Sequence, residues 1–279
     1  MTTIQPTIIH PTAVIDPKAQ IADGCEIGPF CIVGPDVALG PGNKLLSHVV
    51  LTGNTRIGPG NIFHPHCVIG GMPQDKKYRG ENTGLIIGTD NIFREAVTIN
   101  VGTVQDKVSG GITRVGDSNL FMVNVHLGHD CQFASHNIIA NNVMIAGHVH
   151  CGSRVIFNGG VGVNQFVTIG DFAYVAGYAQ LHHDVPPYIK ITDSDRIRAV
   201  NTVGLKRSGA PESDIETLVA AFRRLFLRKG TPVAVALAEF DAAAARGEAI
   251  NPLVKNLVDF MRRRASCKNG RYLETLRGK

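Results

Sequence analysis

The chain of 279 residues has no tryptophan, only 6% aromatic residues and no apolar run long enough to cross a bilayer. These shortages exclude whole classes of function. Without stacking aromatics or a recognisable binding motif, a nucleic-acid partner is not expected. Residues 1–5 begin no charged-then-apolar leader, so the expected location is the cytoplasm, without stable membrane insertion. The cysteines at 25, 31, 67, 131, 151 and 267 form no C-x-x-C pair. They read as small buried hydrophobes in a reducing compartment, not as a disulfide or zinc framework. Charge is sparse at 18%, and the net +5 gathers late in the chain, at Lys206-Arg207, Arg223-Arg224, Arg228-Lys229 and Arg262-Arg263-Arg264. Such runs are solvated helix faces or a docking surface for an acidic partner.

What the chain has in abundance is a period of six. Apolar residues recur at Ile9, Ile15, Ile21, Ile27, Val33, Leu39, Leu45, Leu51, Ile57, Phe63 and Ile69, then at Ile87, Phe93 and Ile99. After a change of phase they resume at Val115 and run through Phe121, Leu127, Phe133 and onward to Leu181. A six-residue period sustained this far predicts a parallel β-helix, in which three hexads close one triangular coil and the coils stack about 4.8 Å apart. An ordinary sandwich of short strands would not hold one period through so many segments. Asn43, Asn54, Asn61, Asn91, Asn119 and Asn137 are expected at turns, where positive backbone dihedrals are needed.

The ladder is broken twice. Ile69 and Ile87 are eighteen positions apart, which equals one coil and predicts an unbroken phase. Between Ile99 and Val115 the spacing is sixteen, and the glycine-rich, polar residues 100–111 predict a protruding loop. After Leu181 the repeat ends at Pro186-Pro187 and a helical period begins. One amphipathic segment runs from Pro211 to Gly230. A second is capped by Thr231-Pro232 and reaches about Arg246, and a third opens at Asn251-Pro252. The expected domains are a β-helix over 1–190 and a small helical domain over 191–279, with the tail from Ser266 too polar to assign.

Reactive side chains concentrate at His126, His129 and Asp130, with His148 and His150 one coil later. At eighteen residues per coil, His129, the Gly147-His148 pair and the Asn164-Gln165 pair stack in one column. Such a column suits acyl transfer from a thioester: a histidine base, a carboxylate that orients it, and a glycine amide for the oxyanion. The plainer alternative is that these are corner histidines satisfied by neighbouring carbonyls. A zinc site is a third possibility, though its ligands would have to converge from separate coils. His182-His183, at the last coil, reads as surface.

Ile9 to Ala13, Ile27 to Pro35, Pro73 to Tyr78, His126 to Cys131, Ala140 to Asn142, Ala146 to Val149, Asp184 to Tyr188 and Gly204 to Arg207 together resemble the acyl-carrier-protein-dependent UDP-N-acetylglucosamine O-acyltransferases, which begin lipid A synthesis. The resemblance covers nearly the whole chain. It implies a left-handed helix, contrary to the usual hand of parallel crossovers, and a homotrimer with active sites between subunits. It implies no cofactor and no metal, with acyl carrier protein as donor and a UDP-sugar as acceptor. By the same resemblance His129 is the general base, Asp130 its partner and Gly147 the oxyanion donor. Asp75, Lys77, His126, His148, Asn164 and Gln165 are substrate contacts, Asn201 and Arg207 lie near the diphosphate, and Gly177 is the acyl-chain ruler. The chain departs from the family pattern at Asn100-Val101 and Asn164, where histidine or His-Arg is usual, and at Val203 and Ser208, where acidic and arginine residues are common. The implied reaction is 3-O-acylation of UDP-N-acetylglucosamine. The alternatives are acylation of a 3-amino or other nucleotide sugar, a trimeric zinc-dependent hydratase, and a non-catalytic scaffold.

Overall fold

A computed structural model describes residues 6–104 and 108–276. Residues 105–107 of the second loop, the first five residues and the last three lie outside the described residues. Strands β1 (Ile8–Ile9) to β26 (Gln180–Leu181) are mostly two residues long, and pair in parallel into three sheets that take successive strands in turn. We name these sheets A, B and C; together they form a left-handed parallel β-helix of triangular section. The first rungs form its open end: Ile9 is 46% exposed, and Ile15 and Ile21 are only partly covered.

Each hexad sends two side chains inward. The large apolar residue is one, and the residue two positions before it is the other: Cys25 before Ile27, Cys31 before Val33, Val125 before Leu127. All six cysteines are free and buried, and burial pushes the Cys67 thiol up to about 12. This second inward slot also corrects the expectation for asparagine. Asn43, Asn61, Asn91, Asn119 and Asn137 do not make positive-φ turns; they are buried on successive coils of one column. The side-chain oxygen of each accepts from the backbone N–H one coil above, Asn61 N to Asn43 Oδ1, Asn91 N to Asn61 Oδ1 and onward, at 2.8–2.9 Å. The left-handed conformation falls instead three residues before each large core residue, as at His48, Asn124, Asp130, Asn142 and His148.

The first interruption also departs from expectation. Ile57 pairs with Ile87 and Phe63 with Phe93, thirty residues apart in place of eighteen. Residues 72–83 are therefore twelve added residues, and Ile87 lies on the next side of the triangle, not one full coil on. The second interruption separates Ile87 from its partner Val115 by twenty-eight residues. Both insertions leave the helix at the corner between sheets B and C.

The far end is closed by a hairpin, β27 (Ile189–Thr192) and β28 (Arg196–Val200), which prolongs β structure ten residues past the expected boundary. Among the described residues five helices follow: α1 (Thr202–Arg207), α2 (Glu212–Phe222), α3 (Val233–Ala245), α4 (Pro252–Ala265) and α5 (Tyr272–Thr275), with a π-helical turn at Arg223–Leu227. Asn251 caps α4 as its sequence predicts, accepting from Leu253 N at 2.9 Å with Pro252 in the first turn. Thr231 does not cap α3; Pro232 holds that position, with no side-chain bond. The polar tail contains α5, whose first amide, Tyr272 N, bonds Asp184 Oδ2 at 2.8 Å. No described helix is long and apolar enough to cross a membrane.

Candidate active site

Parallel register fixes the column that the repeat length predicts. Leu127 pairs with Ile145 and Ile145 with Val163 in sheet B, while Phe133, Cys151 and Ile169 pair in sheet C. His129, Gly147 and Gln165 therefore stand above one another at the B/C corner. His148 N donates to the His129 carbonyl at 2.9 Å, which locks the two levels together. A Cβ at Gly147 would stand 2.8 Å from two atoms of the His129 ring, so only glycine lets the ring lie there.

Asp130 is fully buried, and its Oδ2 lies 2.8 Å from His129 Nδ1. Three further bonds reach its carboxylate: Thr103 N to Oδ1 (2.8 Å), Thr103 Oγ1 to Oδ2 (2.7 Å) and Ser109 Oγ to Oδ1 (2.8 Å). Burial alone would raise its pKa, but the bonds from His129, Thr103 and Ser109 outweigh burial and hold it below the usual carboxylate value. An ionised Asp130 fixes the proton of His129 on Nδ1 and leaves Nε2 as the acceptor.

The loop that holds Asp130 leaves the helix as its sequence predicts, with Val104 and Val108 exposed, but Thr103 and Ser109 turn inward and are buried beneath the corner, at 1% and 4% exposure. Neither is among the residues that the sequence predicts for the site, nor is Thr113, whose Oγ1 accepts from Asp130 N at 2.8 Å. A signal was present for Thr113: it is a polar residue in an inward slot two before Val115.

His148 stacks on Phe166 with centroids 4.4 Å apart and meets His129 edge-on at 4.9 Å. Its Nδ1 lies 3.8 Å from Asp130 Oδ2. His126 projects from sheet B, its Nδ1 2.8 Å from Thr98 Oγ1. Burial, and then the nearby His129, keep His126 below the usual imidazole pKa. The potential ligand atoms of His129, Asp130 and His148 lie within 4.8 Å of one another, the spacing a metal would need. Both Asp130 oxygens already accept hydrogen bonds, so a metal would have to displace donors.

Asp75 and Lys77 sit in the 72–83 loop, which leaves the same corner two coils below His129, and Lys77 N bonds Asp75 Oδ1 at 2.9 Å. Asn164 and Gln165 are exposed above Gly147. Asn100, beneath Gly128, is 6% exposed; its Nδ2 donates to Met72 O at 2.9 Å, while its buried Oδ1 has no partner among the described residues. Reversing the amide would set oxygen against oxygen, so the free acceptor is a property of the fold. Three expected residues are not at this corner within one chain. Gly177 lies at the A/B corner, across sheet B. Asn201 is buried as the cap of α1, accepting from Gly204 N and donating to Phe172 O at the C/A corner, and Arg207 is exposed in the last turn of α1.

A family profile described as UDP N-acetylglucosamine O-acyltransferase, domain 2, matches residues 184–270. The acyl-[acyl-carrier-protein]–UDP-N-acetylglucosamine O-acyltransferase of Synechocystis is 42% identical over 262 residues, covering 94% of this chain and 91% of that one. The chain belongs to this O-acyltransferase family. The Agrobacterium fabrum member is 39% identical over 80% of this chain and 82% of its own. Among solved members, the Moraxella catarrhalis enzyme superposes with a TM-score of 0.83 at 43% identity, over 90% of this chain and 95% of that one. The Francisella novicida enzyme gives 0.85 at 34%, over 94% and 93%. The O-acyltransferase fold therefore extends through both the β-helix and the C-terminal helices.

Proposed function

We propose that this O-acyltransferase moves a fatty or 3-hydroxy fatty acyl group from acyl carrier protein to the 3-hydroxyl of UDP-N-acetylglucosamine, an early step of lipid A synthesis. The observation that carries this reading is the His129 ring, tied to Asp130 through Nδ1 and lying on Gly147. His129 Nε2 takes the proton of the sugar hydroxyl as its oxygen attacks the thioester carbonyl. The tetrahedral oxyanion meets the Gly147 amide, which makes no hydrogen bond among the described residues. Collapse expels the carrier thiolate, which recovers the proton from His129, leaving an ester and a free thiol. No covalent enzyme intermediate and no metal or other cofactor enters these steps.

A homotrimer is part of the proposal. His129 at the B/C corner and Asn201 at the C/A corner flank the same face of one chain, whereas sheet B of one copy packed on sheet A of the next sets these two corners side by side at the mouth of one cleft. Gly177 then lies at its inner end. The outward face of sheet A supports this, since Ile62, Ile92, Leu120, Ile138 and Ile156 stack on consecutive coils. Cytoplasmic location accords with such substrates. Incubating the protein with a panel of acyl carrier proteins and UDP-sugars, with products read by mass spectrometry, tests the reading. Turnover on a 3-amino sugar alone, or metal-dependent hydration without acyl transfer, would overturn it.

A further inference from the structure

The corner between sheets C and A carries a cation to which the steps above give no part. Its turns present mostly small or acidic residues, as at Gly58-Pro59-Gly60, Thr89-Asp90 and Asp117-Ser118. Arg154 is the one Lys or Arg among the described turns of this corner. It holds the left-handed vertex position of its turn, with φ 58°, and its side chain is exposed.

The surroundings of Arg154 fit it to receive an anion. Its guanidinium lies over the Phe172 ring, 5.8 Å from the centroid, and forms no ion pair among the described residues. That contact uses the face of the guanidinium and leaves its N–H edge free. Phe172 packs in turn on Tyr188, centroids 6.1 Å apart, and the Tyr188 hydroxyl accepts from Asn256 Nδ2 of α4 at 2.8 Å. The arginine therefore rests on a fixed platform. Asn201 donates to the Phe172 carbonyl at 2.9 Å and caps α1, so the exposed Arg207 in the last turn of that helix belongs to the same corner. Lys206, by contrast, is held by Glu212 at 2.9 Å. The Asp171 carboxylate, in the turn one coil above Arg154, already accepts on Oδ1 from Ser153 N at 2.7 Å.

We propose that Arg154 binds the diphosphate of the UDP-sugar, in a cleft whose His129 belongs to the neighbouring copy. This rests on the acyl-transfer reaction and the trimer proposed above, which set the C/A corner of one chain beside the B/C corner of the next. A threefold axis parallel to the coil axis keeps equivalent residues at one height. Arg154 then stands between one and two coils above the neighbouring His129, about 7 Å along the axis. The 3-hydroxyl and the anomeric phosphate of a hexose are separated by a comparable length, the width of the ring and the ester bond beyond it. Guanidinium suits this anion because its N–H donors lie in one plane and can meet two phosphate oxygens together. With serine at 208 the end of α1 offers Arg207 alone, and Arg154 supplies a second cation.

The test uses the full chain, with UDP titrated by calorimetry and UDP-N-acetylglucosamine followed in acyl-transfer kinetics. Arg154→Ala should weaken UDP binding and raise the KM for the UDP-sugar by about tenfold or more, with the KM for the carrier and the circular dichroism unchanged. Arg154→Lys should recover part of the loss, since it restores the charge but not the planar fork. Co-expressing His129→Ala chains with Arg154→Glu chains tests the placement. At low sugar the mixed trimers should regain activity that neither variant has alone, because about a quarter of their clefts join an intact His129 of one chain to an intact Arg154 of the next. No recovery would overturn the contribution across subunits. Equal UDP affinity in wild type and Arg154→Ala, or a rise confined to the KM for the carrier, would overturn the role of Arg154 and leave the reaction standing. Wild type that transfers to no UDP-sugar would overturn the reaction, and this assignment with it.

Discussion

The imidazole of His129 rests on the α-carbon of Gly147, so close that a methyl group there would stand 2.8 Å from both Cε1 and Nε2. The proposed base and the proposed oxyanion donor thus meet in one contact between adjacent coils. Replacing His129 with alanine should lower kcat by about a hundredfold to ten-thousandfold, the range for a lost general base, with the circular dichroism of the fold unchanged. Gly147→Ala should fold, because Gly147 is not in the left-handed region. It should still lose most turnover by pushing the ring aside. Half of wild-type activity in either variant would remove that residue from the mechanism.

Asp130 offers a pH test. Its folded pKa is depressed, so its bonds stabilise the protein fully above the unfolded value of about 3.9, and that stability is lost as pH falls through the lower folded value. Wild-type stability in urea should therefore drop below about pH 4, and Asp130→Asn should flatten that drop. The variant should also lose kcat at neutral pH by reversing the tautomer preference at His129. An unchanged acid limb would mean that Asp130 is not the group whose ionisation stabilises the corner.

Acyl length should be read at Gly177. A Cβ there would meet only Gly159 O at 3.4 Å and Asn158 Cβ at 3.9 Å, and the residue needs no positive φ. Methionine can therefore be accommodated by the backbone while filling the inner end of the proposed intersubunit cleft. Wild type should prefer donors of about fourteen carbons to those of ten, each methylene contributing about 0.8 kcal/mol of burial. Gly177→Met should favour shorter chains with the KM for the sugar unchanged. An unaltered chain-length profile would move the ruler elsewhere.

The basic residues of the helical domain do not act as one patch. Arg224 and Arg228 are both engaged by Glu239, at 3.0 and 2.7 Å, and Arg224 also covers the Phe240 ring. Arg223 and Lys229 are exposed. If an acidic carrier docks here, Arg223→Glu with Lys229→Glu should raise its KM severalfold and weaken the salt dependence of that KM. Equal effects on donor and sugar, or none, would leave this surface merely solvated.

Asn100 offers a buried acceptor beside the catalytic corner, and an acceptor left empty there costs about 1–3 kcal/mol. Because the atom has no exposed surface, Asn100→Leu should alter thermal stability and leave the KM values for sugar and carrier little changed. A tenfold rise in the KM for the UDP-sugar would show that this acceptor opens to the substrate.

The period of six determined the fold. An inward residue every sixth position, with a small partner two before it, can be satisfied only by short strands that stack in register, so the His129–Gly147–Gln165 column was legible by counting. Asn251 before Pro252 likewise specified the start of α4, because that cap is local. What counting could not reach is whatever the insertions do. The eighteen positions from Ile69 to Ile87 equal a coil in number but not in space, and only strand pairing revealed twelve of them as a loop. Residues 100–111 look like a polar excursion, yet burying the Asp130 carboxylate requires donors, and Thr103 and Ser109 turn inward to supply them. Asn201, legible as a site residue by resemblance, proved to spend its amide on α1 and on the Phe172 carbonyl. A repeat fixes the positions of residues one coil apart, whereas contacts between a loop and a corner are decided by which buried polar groups must be satisfied, and that is settled only in three dimensions.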